Sequence, residues 1–284
     1  MKYFFPILSI LLFCRLVSFA QADVTTSIKE NTGPDPNFHI YICFGQSNME
    51  GPATILPEDT TNVNPRFKVL TVFSEDLAHL GREVGNWYTA KPPLCKWSTG
   101  LGPYDYFGRT LTDSLADSIK VGVIVVAMGG SGIDAFDKQN YAQYYQNADA
   151  WQKGLMDSYG GCPYNKIIEM AKIGQQNGVI KGILLHQGET DNGQWNWLQK
   201  VQKIYNDMIT DLSLTAENVP LLSGEMLSQA AGGLCWGHNS IMANLPYYVA
   251  NSYVISSAGC PGVDDFHFSN EGMRELGKRY GLQM

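Results

Sequence analysis

Short apolar blocks alternate along this chain with longer stretches in which apolar residues return every three or four positions. Residues 40–44 form the first block, with Gly45 behind it, as befits a buried parallel strand. Residues 68–73 are a second β-rich run. Between 102 and 119 the residues Phe107, Leu111, Leu115 and Ile119 recur at a spacing of four, which marks one face of a helix. The strongest strand is 121–128, eight residues nearly all β-branched or apolar, ending in Gly129-Gly130. A helix is predicted over 167–176, stopped by Gly178, and a strand over 180–185. Residues 195–212 carry Leu198, Val201, Ile204, Tyr205, Met208 and Ile209 on one helical stripe. Strands at 219–226 and 253–257 follow, and Asn270 is the expected cap of a closing helix that runs to about Tyr280.

This β-α-β-α alternation predicts an α/β fold, a central parallel sheet with helices on both faces. The chain shows no internal repeat, low-complexity tract or linker, so a single domain is expected. Residues 81–100 and 134–161, rich in Trp, Tyr, Gly and Pro, read as long loops over the carboxyl ends of the strands. Ligands bind at that edge in open α/β sheets.

The amino terminus stands apart from this pattern. Lys2 and the apolar run 4–13 have the form of the charged and apolar regions of a secretory signal. The run is about half the ~20 residues needed to cross a bilayer, and a short uncleaved anchor is the competing reading. Ala20-Gln21-Ala22 offers a cleavage site, which gives a signal peptide over 1–22, a mature domain over 23–284, and a secreted or periplasmic protein without a membrane span. Five cysteines remain after cleavage: Cys43, Cys95, Cys162, Cys235 and Cys260. Export permits disulfides, yet an odd count leaves at least one thiol outside any internal pair, and nothing fixes a pairing. No CxxC pair suggests a structural zinc. A formal charge of −7 argues against a phosphate-backbone binder, and 12% aromatic residues exclude a disordered chain.

Three polar motifs follow strands. Gly45-Gln46-Ser47-Asn48-Met49-Glu50-Gly51 comes directly after the first. A serine at a tight strand-to-helix turn exposes its hydroxyl and aims its own N–H at the same space, although a plain helix cap by Ser47 explains the position equally well. Gly129-Gly130-Ser131-Gly132 follows the strongest strand and lets backbone N–H groups approach a ligand. It lacks the spacing of a P-loop or a dinucleotide fingerprint. His186-Gln187-Gly188-Glu189 is a polar cluster emerging from a buried strand, costly without partners. Near the carboxyl terminus, Asp264 precedes His267 by three residues, a spacing at which a carboxylate reaches the imidazole Nδ1 and leaves Nε2 free as a base.

Together these blocks resemble the SGNH hydrolase superfamily. Within it they are most similar to the sialate O-acetylesterase-like branch that includes the acetylxylan esterases of carbohydrate esterase family six. The string from Phe44 to Gly51 matches the first block, Ala127-Met128-Gly129-Gly130-Ser131 the second, His186-Gln187-Gly188-Glu189 the third, and Asp264-Asp265-Phe266-His267-Phe268 the last. The similarity covers almost everything after about residue 38. It departs from the wider superfamily in the third block, where Gln187 replaces an asparagine.

The resemblance implies a three-layer α/β/α, flavodoxin-like fold. It also implies Ser47 as nucleophile and His267 as general base, with Asp264 or Glu189 as the carboxylate that orients the histidine; local spacing favours Asp264. The implied oxyanion hole is the Ser47 N–H, the Gly130 N–H (Gly129 as second choice) and the Gln187 side chain. No cofactor or metal is needed, and the implied substrate is an acetylated carbohydrate. Similarity of 87–95 and 105–109 to acetylxylan esterases points to acetylxylan. The alternative is a sialate O-acetylesterase, for which Arg82, Lys91, Lys96 or Arg109 would have to meet the sugar carboxylate. A non-catalytic sugar-binding protein of the same fold, with Trp195 or Trp197 as a stacking surface, stands behind both.

Overall fold

A nearly unbroken apolar octet makes Phe38–Gly45 the strand, β1, about which the sheet is built. The computed structural model describes Met1–Lys2 and Gly33–Met284, so the expected signal segment lies almost wholly outside the described residues. After β1 come α1 (Ser47–Glu50), α2 (Pro57–Thr60), β2 (Phe67–Leu70), α3 (Asp76–Leu80), β3 (Trp87–Thr89), α4 (Pro103–Ser114) and β4 (Lys120–Ala127). The chain continues with α5 (Tyr141–Asn147), α6 (Ala150–Ser158), α7 (Pro163–Gln175), β5 (Val179–His186) and α8 (Trp197–Asp211). It closes with β6 (Leu221–Gly224), α9 (Asn239–Met242), β7 (Ser252–Ile255) and α10 (Asn270–Gln283).

The seven strands lie in the order β3-β2-β4-β1-β5-β6-β7. All neighbours run parallel except β2 and β3, which pair antiparallel at one edge. The expected α/β/α layering is present. Five of the parallel strands, β4-β1-β5-β6-β7, follow the flavodoxin order, with the first strand between the second and third, and β2 and β3 extend the sheet beyond β4. Side chains alternate across β1 as a strand requires. Ile40 packs toward Gly174 of α7 on one face; Tyr41 meets Phe107 of α4 edge-on at 4.8 Å on the other.

Two stretches expected to be loops contain regular structure. β3 lies within 81–100, and three residues of edge strand are too few for a periodic signal. Residues 134–161 hold α5 and α6, of which α5 buries no residue and α6 buries Met156 alone. Helices with so little buried face carry no apolar stripe to read. The closing helix is capped by Ser269 rather than Asn270: the Ser269 hydroxyl accepts from the Gly272 N–H at 3.2 Å. All five described cysteines are free and buried.

The last helix is brought against α4 by glycine. A Cβ on Gly277 would lie 2.4 Å from the Pro103 carbonyl oxygen, and one on Gly281 would lie 2.7 Å from Thr110 Cβ. A two-pronged pair strengthens the seat: Arg274 Nε and Nη2 donate to the buried Asp59 carboxylate of α2 at 2.9 and 3.0 Å. Gly277→Ala should therefore destabilise the fold by about 1–3 kcal/mol, although alanine is the better helix former by ~1 kcal/mol. Urea unfolding of the two proteins measures the sign, and a stabilised variant would contradict this packing.

Candidate active site

Because β1 lies between β4 and β5, and pairs with both without interruption from Tyr41 onward, their carboxyl ends emerge side by side: Gly45 pairs with Ala127 on one flank and His186 on the other. The first three motifs leave the sheet at these points. α1 begins immediately, with Gln46 in extended backbone as its N-cap and Ser47 as its first helical residue. Ser47 is thus not the cap, and its hydroxyl is free to face elsewhere.

It faces His267. The Ser47 hydroxyl lies 2.9 Å from Nε2, and Asp264 Oδ2 lies 2.8 Å from Nδ1. With the carboxylate accepting from Nδ1–H, Nε2 is left to accept the serine proton. The other carboxylate oxygen, Oδ1, accepts from the Phe266 and His267 N–H groups at 2.8 and 2.7 Å. Partial burial works to raise the Asp264 pKa, but the hydrogen bonds from the His267 side chain and these two amides outweigh it and hold the carboxyl below the usual range. The carboxylate that reaches the histidine is Asp264.

Glu189 points elsewhere. Its Oε1 accepts from the Asn48 amide at 2.6 Å, and its Oε2 is buried without a partner. Burial pushes its pKa up to about 7, against the lowering effect of the Asn48 bond and the nearby His267. His186 Nδ1 lies 3.9 Å from Glu189 Oε1. The two do not form an ion pair, since burial also pushes His186 down to about 4.

The residues alternating with Ser47 hold the rest of the site. Gln46 Oε1 accepts from Gln187 Nε2, Thr190 N–H and Gly188 N–H at 3.2, 3.3 and 3.4 Å. Asn48 brackets the histidine, donating to the Phe266 carbonyl at 2.9 Å and accepting from the Phe268 N–H at 3.3 Å. Glu50 Oε2 accepts from the Gly129 N–H at 2.9 Å, while its Oε1 pairs with the Lys96 ammonium. Sequence reasoning quoted these three side chains within the first block but gave them no task. Their every-second-residue placement about Ser47 was the available signal.

Two of the expected oxyanion donors need correction. The Gln187 amide is fully buried and engaged: Nε2 donates to Asp191 at 2.5 Å and also contacts Gln46 Oε1 and the Ser131 carbonyl, while Oε1 accepts from the Trp197 indole at 2.5 Å. No amide hydrogen is left for a substrate. The Gly129 N–H, the second choice, is held by Glu50. The Ser47 and Gly130 N–H groups have no hydrogen-bond partner among the described residues. Gly130 has φ of +64°, a left-handed turn that glycine adopts without strain. Trp197 is wholly buried and cannot stack on a ligand, and no cluster able to hold a metal occurs among the described residues.

Residues 37–284 match the family described as carbohydrate esterase, sialic acid-specific acetylesterase. Among solved structures, a protein from Arabidopsis thaliana superposes with a TM-score of 0.66 at 20% identity, covering 88% of this chain and 98% of the other. NanS gives 0.62 at 16% identity, with 89% and 97% covered. A carbohydrate acetylesterase from Xanthomonas citri gives 0.60 at 19%, over 86% of this chain and 54% of that one. At these identities the likeness shows a shared fold.

The buried Glu189 predicts a pH dependence of stability. Its native pKa of about 7 lies above the ordinary 4.5, so the folded chain holds that proton where the unfolded chain has lost it. Stability therefore falls as pH rises from the unfolded value through about 7. Glu189→Gln lacks this loss, so its denaturation midpoint relative to the parent should climb across that window and level off above it. His186 titrates in both proteins and cancels. A difference that does not change with pH would show that Glu189 titrates normally.

Proposed function

The chain belongs to the carbohydrate esterase, sialic acid-specific acetylesterase family and is a carboxylic ester hydrolase, and from that premise we propose that it removes O-acetyl groups from a neutral plant polysaccharide, acetylxylan, through Ser47, His267 and Asp264. The observation that carries the reading is the unbroken hydrogen-bonded line from Asp264 through His267 to Ser47.

In this reading Ser47 attacks the acetyl carbonyl while His267 Nε2 takes its proton. Negative charge gathers on the carbonyl oxygen, and the unpartnered N–H groups of Ser47 and Gly130 stabilise it. His267 then gives its proton to the departing sugar oxygen, leaving acetyl on Ser47. Water, deprotonated by the same histidine, releases acetate and restores the hydroxyl. Asp264 holds the imidazole in the tautomer that both steps need and offsets its transient positive charge.

The choice of a neutral sugar rests on where the cations are. Arg82 is bound to the carbonyls of Pro93 and Lys91. Arg109 is bound to Asp105 and to the carbonyls of Asp59 and Thr61, and Lys96 is paired with Glu50. Of the four candidates for meeting a sialate carboxylate, Lys91 alone is exposed and without such a partner among the described residues. The family's description favours a second reading, a sialate O-acetylesterase. The signal-like pattern of residues 1–22 supports placing the activity outside the cytoplasm, with the substrate.

Acetate release from acetylated xylan and from O-acetylated sialic acid, measured side by side, tests the substrate: faster turnover of the sialic acid would overturn acetylxylan. On an aryl acetate, Ser47→Ala should lower kcat by several powers of ten. Asp264→Asn should cost roughly 10³–10⁴, as an orienting carboxylate does. Glu189→Gln should cost less than about tenfold, because it acts only through Asn48. Abolished turnover in Glu189→Gln with a nearly silent Asp264→Asn would reassign the carboxylate.

A further inference from the structure

The indole of Trp151, in the first turn of α6, lies across the Gly130 turn. A Cβ on Gly130 would sit 2.6 Å from Trp151 Cη2. Despite that contact the side chain is 54% exposed. Exposed apolar residues are common and mean little singly. Here the turn of helix that carries the indole is tied to its neighbours. Gln152 Nε2 donates to the Gly130 carbonyl at 3.0 Å and to the Tyr144 hydroxyl at 3.2 Å, and that hydroxyl accepts from the Gly132 N–H at 3.0 Å. The start of α6 is therefore bound to the turn that presents the free Gly130 N–H.

The turn beneath this indole adjoins Ser47, and exposed apolar residues belong to or are joined to the loop that bears His267. On one flank, a Cβ on Gly129 would be 3.9 Å from Ser47 Cβ. On the other flank His267 touches Ser47, and the adjoining Phe266 is 40% exposed. Leu234, 60% exposed, is joined to the same loop by its N–H to the Asp265 carbonyl at 2.9 Å. The nearest lysine in sequence, Lys153, turns its ammonium to the Gln146 carbonyl and over the Tyr145 ring. A flat aromatic surface suits the C–H face of a neutral pyranose, which stacks on aromatic rings and brings no charge to neutralise.

We propose that Trp151 is the stacking platform for the pyranose ring that carries the acetyl ester, and so a specificity-determining residue of this esterase. The proposal rests on the reading that Ser47 is the nucleophile. A sugar ring on the indole places the ester carbonyl oxygen beside the Gly130 N–H, the carbonyl carbon within reach of Ser47, and the sugar oxygen toward His267. The platform binds the leaving alcohol and takes no part in proton transfer.

The test is Trp151→Ala and Trp151→Phe assayed on acetylated xylo-oligosaccharides and on 4-nitrophenyl acetate, whose leaving group has no pyranose ring. For Trp151→Ala, KM for the oligosaccharide should rise roughly tenfold with kcat far less affected. The loss in kcat/KM should be several times smaller on the aryl ester, and Trp151→Phe should recover part of it. Equal losses on both esters would mean that Trp151 only shapes the Gly130 turn, and an unchanged oligosaccharide KM would remove it from the site; either overturns the platform. Calorimetric titration of xylo-oligosaccharide into Ser47→Ala, with and without Trp151→Ala, separates this result from the identity of the nucleophile. Weaker binding without the indole supports the platform even if Ser47→Ala retains activity. Equal binding, or no binding to either, overturns it.

Discussion

The site depends on one four-residue helix. α1 starts at the end of the central strand, and the side chains of Gln46, Asn48 and Glu50, alternating with Ser47, each fasten a different segment of chain. Gln46 holds the loop after β5, Asn48 the loop bearing His267, and Glu50 the turn after β4. These partners are 79 to 220 residues away in sequence. A helix this short has negligible stability by itself. It persists because the sheet fixes its first residue and the partners fix its sides, so nucleophile, base and backbone donors share one rigid reference. Such fixed geometry is how backbone donors and a general base gain their effect without reorganising during reaction.

Charge is distributed about this helix according to solvent. Asp264, whose side chain is half exposed, keeps its carboxyl ionised because the three bonds it accepts favour the charged form. The Glu189 side chain is almost wholly buried and keeps its proton below its raised pKa of about 7. An anion beside His267 is useful only if it remains an anion across the working range, and the more exposed carboxyl meets that condition with less desolvation to overcome. The buried one serves as a hydrogen-bond acceptor for Asn48, a task that either protonation state performs. Solvent exposure, together with the two-residue chain between Asp264 and His267, assigns the two acids different work.

The core and the motifs were plain in the sequence because both are written locally. Strands such as 121–128 are continuous apolar runs, and the long helices carry a stripe. The Asp264–His267 pair was legible because three residues of separation already confine it. What escaped was whatever tertiary contacts decide. α5 and α6 bury almost nothing, so no periodicity betrays them. Gln187 looked like a donor by analogy of position, yet Asp191, four residues on, takes its amide and Trp197 takes its carbonyl. Trp195 and Trp197, adjacent to the third block, drew notice as possible platforms. The indole that reaches the Gly130 turn is Trp151, about twenty residues downstream and brought back by a helix that the sequence pattern hid.

The buried thiols give this chain an internal set of opening reporters. Each of the five described cysteines is buried, and burial raises every one of their pKa values, which suppresses the thiolate that alkylating agents attack. A thiol here is labelled when its surroundings open, so labelling rates convert into local opening free energies. Cys43 in the central strand reads the sheet. Cys235, whose Sγ lies 3.6 Å from the Glu189 carbonyl, reads the loop beside the active site. The ratio of those two rates measures how far the catalytic rim breathes independently of the fold that carries it.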